Sequence, residues 1–424
     1  RCVTSRVFEH SLEPLVNSEL LSCVHRLLGA KVGRRVQSDN FKAVEHDCIQ
    51  IEDFVVFGSV VTMNCDARCP EKPWCRELRQ VSLLRASNCL DHSQLMPGVT
   101  VGEAAVLGTR TLAHQDACFP PDSISTGAVS GRSVLLRTEA SASAPPKARA
   151  EELRVMKQLE SSIQWVSFNL AQLLSAFVAY CLPQFAWVIA TDIVFLIEAA
   201  LVVENHVGLQ NMNPGSEFAD ATSSTDSSWG EMVSAYWMIW AVAFFSIEVG
   251  LLLLAAAMKW AVMGEYKEEN HTFFSNFHYR WAIMLNFKGA MAPLADHLTG
   301  TAFQIWYYRL MGAKIGKNVY LAGIALEFDL LEVGDGAAIN DDCDATAHTV
   351  ERMVLKMAPV RVEANAAILP GSVVMPGGLM ERGALLLERS QVLKGDVVRA
   401  GEVWAGQPAK RVFGTRKEDS TPHR

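Results

Sequence analysis

One periodicity constrains this chain more than anything else in it: an apolar residue at every sixth position. Val362, Ile368, Val374, Met380, Leu386, Val392, Val398 and Trp404 keep that stride. Upstream, Ile315, Leu321, Glu327, Val333, Ile339 and Ala345 keep it with one polar exception, and Leu83, Cys89, Leu95, Val101, Leu107, Ala113 and Phe119 keep it near the N-terminus. Helices repeat at 3.6 residues and strands at 2, so a strict six requires another architecture. Hexapeptide repeats build a parallel β-helix in which each hexapeptide forms one flat side of a coil. The sixth side chain points inward and fills the prism, and Gly, Asn and Asp take the corners, where φ is often positive.

The sequence also repeats at an offset of about 283 residues. Arg26-Leu27-Leu28-Gly29-Ala30-Lys31-Val32-Gly33 returns as Arg309-Leu310-Met311-Gly312-Ala313-Lys314-Ile315-Gly316. Glu45-x-Asp47 returns as Glu327-x-Asp329, and Met96-Pro97-Gly98 as Met375-Pro376-Gly377. One module is therefore read twice. Copy 1 spans 10–137 and is degenerate, while copy 2 spans 274–413 and is followed by a tail, 414–424.

Between the copies the composition changes. A Ser/Ala/Pro-rich linker covers 138–160, and a helical region covers 161–263. Half of the 424 residues are hydrophobic and only 20% are charged, which excludes a disordered chain. The stretches 184–203 and 232–258 are long enough to cross a bilayer, with Pro183 separating the first from 163–182, which is expected to lie in the interface or pack as a partial helix. Buried helices of a soluble domain are the alternative. Lys147, Arg149, Arg154 and Lys157 precede the segment and Lys259, Lys267 and Arg280 follow it, whereas the loop 204–231 holds acidic residues and no Lys or Arg. Both β-helices are thus expected on the cytoplasmic side. The net charge of −8 argues against a nucleic-acid partner.

Residues that interrupt the six-residue beat are the candidates for chemistry. The break after Ala345 reads His348-Thr-Val-Glu351-Arg352-Met-Val-Leu-Lys356. An imidazole with a pKa near 6.5 suits proton abstraction from an attacking amine or hydroxyl. Glu351 is placed to orient His348, and Arg352 or Lys356 to hold an anion such as a phosphopantetheine phosphate; a polar loop with an exposed His is the plainer reading. His297, after Asp296, is a second candidate base or a packed helix-cap residue. Glu327 fills a slot where the stride calls for an apolar side chain, with Asp329 two residues on. An inward carboxylate is costly unless paired, so it is either satisfied structurally or functional. Trp404 opens a closing motif, Trp404-Ala-Gly406-Gln-Pro408-Ala409. Asp192, Glu198 and Glu248 are carboxylates within apolar stretches, which marks them for function or for helix–helix hydrogen bonds. Of the ten Cys, Cys65, Cys69 and Cys75 cluster without any C-x2-C pair, so no metal site is expected and reduced thiols are the reading.

Together, Trp306-Tyr-Tyr-Arg309-Leu-Met-Gly312-Ala-Lys-Ile-Gly316, Glu327-x-Asp329, His348-x-x-Glu351-Arg352 and Trp404-x-Gly406-x-Pro408-Ala409 resemble the membrane-embedded C-terminal region of poly-amino-acid-forming nonribosomal peptide synthetases, the ε-poly-lysine synthetase type. The resemblance covers 274–413 well, 160–260 in architecture, and copy 1 as a faded relative. It implies left-handed hexapeptide-repeat β-helices of the acyltransferase superfamily flanking transmembrane helices. It also implies an acyl- or aminoacyl-transferase in which an amine attacks a carrier-bound thioester. No bound cofactor is implied; the donor would be a thioester on phosphopantetheine or on CoA. Partners would be the bilayer and the adenylation and peptidyl-carrier domains, in cis or in trans, with a pseudo-trimer or homo-oligomer possible on this fold. Neither domain is in the sequence, and the chain starts at Arg1, so a fragment is expected. Two rival readings are a CoA-dependent O- or N-acetyltransferase and a membrane-anchored scaffold. Copy 1 departs from the pattern: Pro14 stands in the place of His297, the loop after Cys65 has no His, and Ser125-Thr-Gly-Ala-Val-Ser replaces the Trp404 motif. It is expected to be catalytically empty and to pack on copy 2.

Overall fold

The computed structural model describes residues 15–38, 41–68, 75–137, 162–210, 221–291, 297–351 and 353–413. Each copy is a parallel β-helix of three sheets, each strand pairing with the strand one turn on. In copy 1 one sheet stacks Lys31–Val32, Ile49–Ile51, Val81–Leu83, Thr100–Val101 and Cys118–Phe119. In copy 2 the corresponding sheet stacks Lys314–Ile315, Leu331–Val333, Val360–Val362, Leu379–Met380 and Val397–Val398. Val101 pairs with Phe119 and Met380 with Val398, one turn of three hexapeptides apart.

The side chains on the six-residue stride fill the two prisms. Leu83, Cys89, Leu95, Val101 and Ala113 are fully buried in copy 1, as are Val374, Met380, Leu386, Val392 and Val398 in copy 2. Each aliphatic side chain so placed contributes about 1.5–3 kcal/mol, which offsets the ordering of strands only two or three residues long. Antiparallel hairpins close both prisms, Ile124–Val129 with Arg132–Arg137 and Val403–Gly406 with Ala409–Phe413.

The beat is broken at the same place in both copies. Ile51 pairs with Leu83 and Val333 with Val362, so an extra segment leaves the coil in each. In copy 1 it folds as the hairpin Asp66–Arg68 with Arg76–Leu78, and in copy 2 as His348–Glu351 with Val354–Met357. A strand from the helical region, Asn270–Thr272, adds to the copy 2 hairpin as a third antiparallel member.

Five helices complete the described residues' main elements: α1 (Glu19–Leu27), α2 (Ser162–Gln210), α3 (Ala221–Val262), α4 (Asn276–Met291) and α5 (Ala302–Leu310). Two of them, over Gln164–Ala200 and Tyr236–Val262, are long and apolar enough to cross a membrane, and most of their side chains in these stretches are exposed. The sequence expectation of a break at Pro183 does not hold, because α2 runs through it. Proline removes one amide donor, and a helix whose remaining ladder is intact can absorb that loss. The segment expected as a loop, 204–231, is shortened as well: α2 continues to Gln210 and α3 begins at Ala221. One face of the start of α2 is packed, while Val166, Leu170, Leu174 and Phe177 on the other are exposed. Phe168, Gln172, Ser175 and Ala179 are buried at helical spacing, and Asn286 of α4 donates to Gln172 (2.7 Å) and Ser175 (3.0 Å).

The copies touch each other directly. Ala128 N donates to Gln407 O at 3.1 Å, and Thr126 lies 3.4 Å from Gln391 Oε1. Gly127, at φ 76°, sits against the Gln407 carbonyl so closely that no Cβ fits. The altered closing motif of copy 1 is therefore its docking surface on the closing motif of copy 2. Phe54, Val56 and Ala86 of copy 1 belong to the same apolar cluster as the helices and copy 2.

Candidate active site

Glu327 precedes a short 3-10 turn, Phe328–Leu330, that contains Asp329, and side chains of the helical region reach both carboxylates. Glu327 is 1% exposed. Its Oε1 accepts the indole N–H of Trp281 at 3.0 Å and lies 2.9 Å from His348 Nδ1. Trp281, from α4, also meets the His348 ring edge-on, with centroids 5.1 Å apart. Asp329 is bound on both oxygens: Lys259 Nζ reaches Oδ1 at 3.0 Å and Oδ2 at 2.7 Å, and the Tyr266 amide donates to Oδ2 at 3.0 Å. Lys259 stands at the end of α3, 1% exposed, with Nζ 3.5 Å above the Trp260 ring. Burial, with both carboxylates nearby, pushes the Tyr266 phenol far above its usual range, so it stays protonated.

The carboxylate beside His348 is Glu327 and not Glu351. His348 and Glu351 lie three residues apart on one strand, so their side chains leave opposite faces. Glu351 turns instead to Lys356 (2.8 Å) and Lys394. Burial pushes its carboxyl up, but the two ammonium groups outweigh that and hold it below the usual carboxylate range. Burial in turn lowers Lys394. Lys356 is thus a partner of Glu351, 43% exposed in its side chain.

The other predicted residues are spread out. His297 is exposed, just before α5. Arg352 lies outside the described residues. Trp404 donates to Glu402 at 2.9 Å on the closing hairpin. Three rungs separate Trp404 from the Ile339 rung, so it stands about 14 Å along the prism from the His348 turn. Asp192 is exposed, Glu198 accepts the Trp240 indole N–H at 3.1 Å, and Glu248 is buried. Among the described residues no group of three His, Cys, Asp or Glu side chains could hold a metal ion.

Three residues that matter here escaped the sequence reading. Lys259 counted only as a flanking cation, while Trp281 and Tyr266 belong to no motif. A further cluster joins the copies: Asp344 Oδ2 lies 3.7 Å from Arg110 and 3.9 Å from His92. Burial pushes the Asp344 carboxyl up, with His92 and Arg110 opposing it.

What this geometry can do chemically is fixed by the imidazole. A carboxylate 2.9 Å from Nδ1 favours the tautomer protonated there, which leaves Nε2 as the acceptor of the ring.

No family model matches the chain. Among curated proteins it is similar to a delta-poly-L-ornithine synthetase from Acinetobacter baumannii, 27% identical over 164 residues, which is 38% of this chain and 12% of that protein. The similarity falls on a poly-amino-acid synthetase, the type of enzyme the motifs resemble, and the chain spans about 12% of that relative's length. Solved structures similar to it include a hexapeptide-repeat-containing acetyltransferase from Vibrio cholerae (14% identity, 39% of this chain and 91% of that one, TM-score 0.21). A maltose O-acetyltransferase from Clostridium difficile (13%, 39% and 87%, TM-score 0.20) is another. A third is an N-acyltransferase from Bacillus cereus solved with dTDP and coenzyme A (12%, 27% and 90%, TM-score 0.19).

Proposed function

We propose that this chain is a membrane-bound aminoacyl-transferase module in which copy 2 carries the chemistry and His348 is the general base. The observation that carries this reading is the 2.9 Å contact between His348 Nδ1 and the buried Glu327, a carboxylate that a β-helix core would otherwise exclude. The similarity to a poly-amino-acid synthetase supports the choice of an amine as acceptor.

In the proposed step an amine nitrogen attacks the carbonyl carbon of a thioester. Its proton passes to His348 Nε2, and Glu327 stabilises the imidazolium through Nδ1. Backbone amides hold the oxyanion. As the C–N bond becomes permanent the C–S bond breaks, and the imidazolium returns its proton to the thiolate. The donor is carried on a phosphopantetheine arm, of a carrier domain or of CoA, with adenylation and carrier domains acting in cis or in trans. The helices over Gln164–Ala200 and Tyr236–Val262 cross the bilayer, and both β-helices face the cytoplasm; the apolar length of the helices and the Lys and Arg of their flanks support this.

The test is reconstitution of the chain with carrier-bound aminoacyl thioester and free amino acids, and separately with acetyl-CoA and an amine and sugar panel. Products are read by mass spectrometry. Peptide-bonded product is expected, reduced at least about 100-fold in His348→Ala at unchanged folding. Full activity of His348→Ala would remove the base from the mechanism, and acetylated product alone would replace aminoacyl transfer by acetyl transfer.

A further inference from the structure

The helices that open the two copies, α1 and α5, each have a face that the fold leaves uncovered. In α1, Leu21, Ser22 and His25 are buried on the prism end, while Leu20 and Leu27 point outward, 48% and 86% exposed, with Leu28 just beyond them. In α5, Gln304, Tyr307 and Tyr308 are buried, while Phe303, Trp306 and Leu310 are 58%, 61% and 46% exposed. Spacings of seven, and of three and four, put each apolar set on one stripe of a nine-residue helix. Two such stripes at equivalent places in a duplicated chain call for one occupant.

Both helices are fastened to the apolar helical hairpin. The Glu19 amide at the start of α1 donates to Asn169 Oδ1 of α2 at 2.6 Å. Trp260 Nε1 of α3 donates to the Leu310 carbonyl at the end of α5 at 2.9 Å. Asn169 lies near the beginning of the apolar run Gln164–Ala200, and Trp260 near the end of the run Tyr236–Val262. In a hairpin of two spans, the beginning of the first and the end of the second emerge at the same membrane face. Trp165 lies one helical turn from Asn169, Trp306 one turn from Leu310, and Trp260 is bonded to the Leu310 carbonyl; indole rings favour the headgroup boundary. Trp260 is itself 47% exposed and continues the outward stripe of α5.

We propose that α1 and α5 are paired interfacial anchors, lying in the headgroup boundary of one leaflet and seating the first rung of each β-helix against the bilayer. The proposal rests on the reading of α2 and α3 as spanning helices. It places the Glu327–His348 pair, one to two rungs beyond α5, within about 10 Å of the headgroups. Amine acceptor and product would then meet the site at the membrane surface.

Spin labels test this on the full chain in nanodiscs of phosphatidylcholine and phosphatidylglycerol large enough to hold two chains, with the native cysteines replaced. Labels are placed singly at Leu27→Cys and Trp306→Cys, at Leu196→Cys in the apolar run of α2, and at Lys410→Cys on the distal closing hairpin. Relaxation by oxygen, which concentrates in lipid, is compared with relaxation by a water-soluble nickel chelate. Positions 27, 306 and 196 are expected to favour oxygen, position 196 most strongly, and position 410 the chelate. Chelate-dominated relaxation at 27 or 306 with a lipid-like 196 overturns the paired anchors while leaving the spans in place. Chelate-dominated relaxation at 196 overturns the spans and the anchors with them. Spin–spin broadening at 306 would show a second copy of the chain on the stripe instead of lipid and also overturns the proposal.

Discussion

Copy 1 and copy 2 share a backbone and differ in what covers it. Glu45 and Glu327 enter their 3-10 turns at nearly the same backbone angles, φ/ψ −99°/73° and −96°/82°. Gly29 and Gly312 hold φ 106° and 112° against Asp47 and Asp329, where any Cβ would strike the carboxylate. Arg26 and Arg309 each tie their helix to the first strand, through the carbonyls of Val32 (2.9 Å) and Ile315 (2.9 Å). Yet Asp47 is exposed and Glu45 half-buried, and among the described residues no helices lie over them as α3 and α4 lie over Glu327 and Asp329. At the position of His348, copy 1 carries Asp66, which binds Arg76. A duplicated scaffold thus keeps the glycine, arginine and carboxylate that shape the rung, and only the helix-covered copy turns that rung into a buried acid–imidazole pair.

The largest expected difference follows from that cover. Asp329→Asn removes the partner of a buried Lys259 and should cost about 3–5 kcal/mol, whereas Asp47→Asn, at an exposed site, should cost about 0.5 kcal/mol or less. Thermal unfolding of the two variants in the same detergent checks this. Equal shifts would mean that the helices do not set the electrostatics of the copy 2 rung.

Much of the asymmetry was readable in the sequence and part was not. The stride placed the inward residues of both prisms, since a period of six survives any change of neighbour. Glu327 stood out because it broke that stride. Glu351 is close to His348 in sequence and not in space, because alternation along the strand separates the two side chains. Lys259 and Trp281 were invisible as site residues because they reach the rung from the helical region, 70 and 46 residues from the carboxylates they bind. At Pro183 local propensity argues for a break, and the rest of a long apolar helix overrides it.

A medium-sized difference concerns acid. In copy 1 the place of Tyr308 is taken by His25, 3% exposed, stacked on Phe41 at 4.0 Å and facing His46 at 5.4 Å. Burial, reinforced by His46, lowers His25 to about 4. The unfolded chain takes up this proton near pH 6.5 and the folded chain only near 4, so the unfolded state binds more protons in between and stability falls as pH falls. The loss contributed by this site reaches about 3 kcal/mol by pH 4. Hydrogen exchange over Gln37–Leu83 should therefore accelerate between pH 6.5 and 4 after correction for the intrinsic rate, and His25→Tyr should flatten that dependence. An unchanged slope in His25→Tyr would assign the acid sensitivity elsewhere.

The smallest difference lies at the corners. Copy 2 meets positive φ largely with glycine, at positions 336, 371, 377, 383, 395 and 401, joined by Asn318, Asp342, Asn365, Met353 and Arg389. Copy 1 asks the same of Phe54, Val60, Ala86, His92, Ala104 and Arg110. A left-handed conformation costs a residue with a Cβ roughly 1–2 kcal/mol, and a β-branched one is least suited to it. Val60, at φ 55° and 41% exposed, is the corner where relief is cheapest to obtain. Val60→Asn should stabilise copy 1 by about 1 kcal/mol, because asparagine tolerates this conformation. The reverse change, Gly383→Val, meets open space at φ 69° and should destabilise copy 2 by strain alone, by about 1–2 kcal/mol. Opposite signs in the two melting shifts would establish that copy 1 faded at its corners as well as at its site. Shifts of the same sign would show that its corners have been compensated by packing against copy 2.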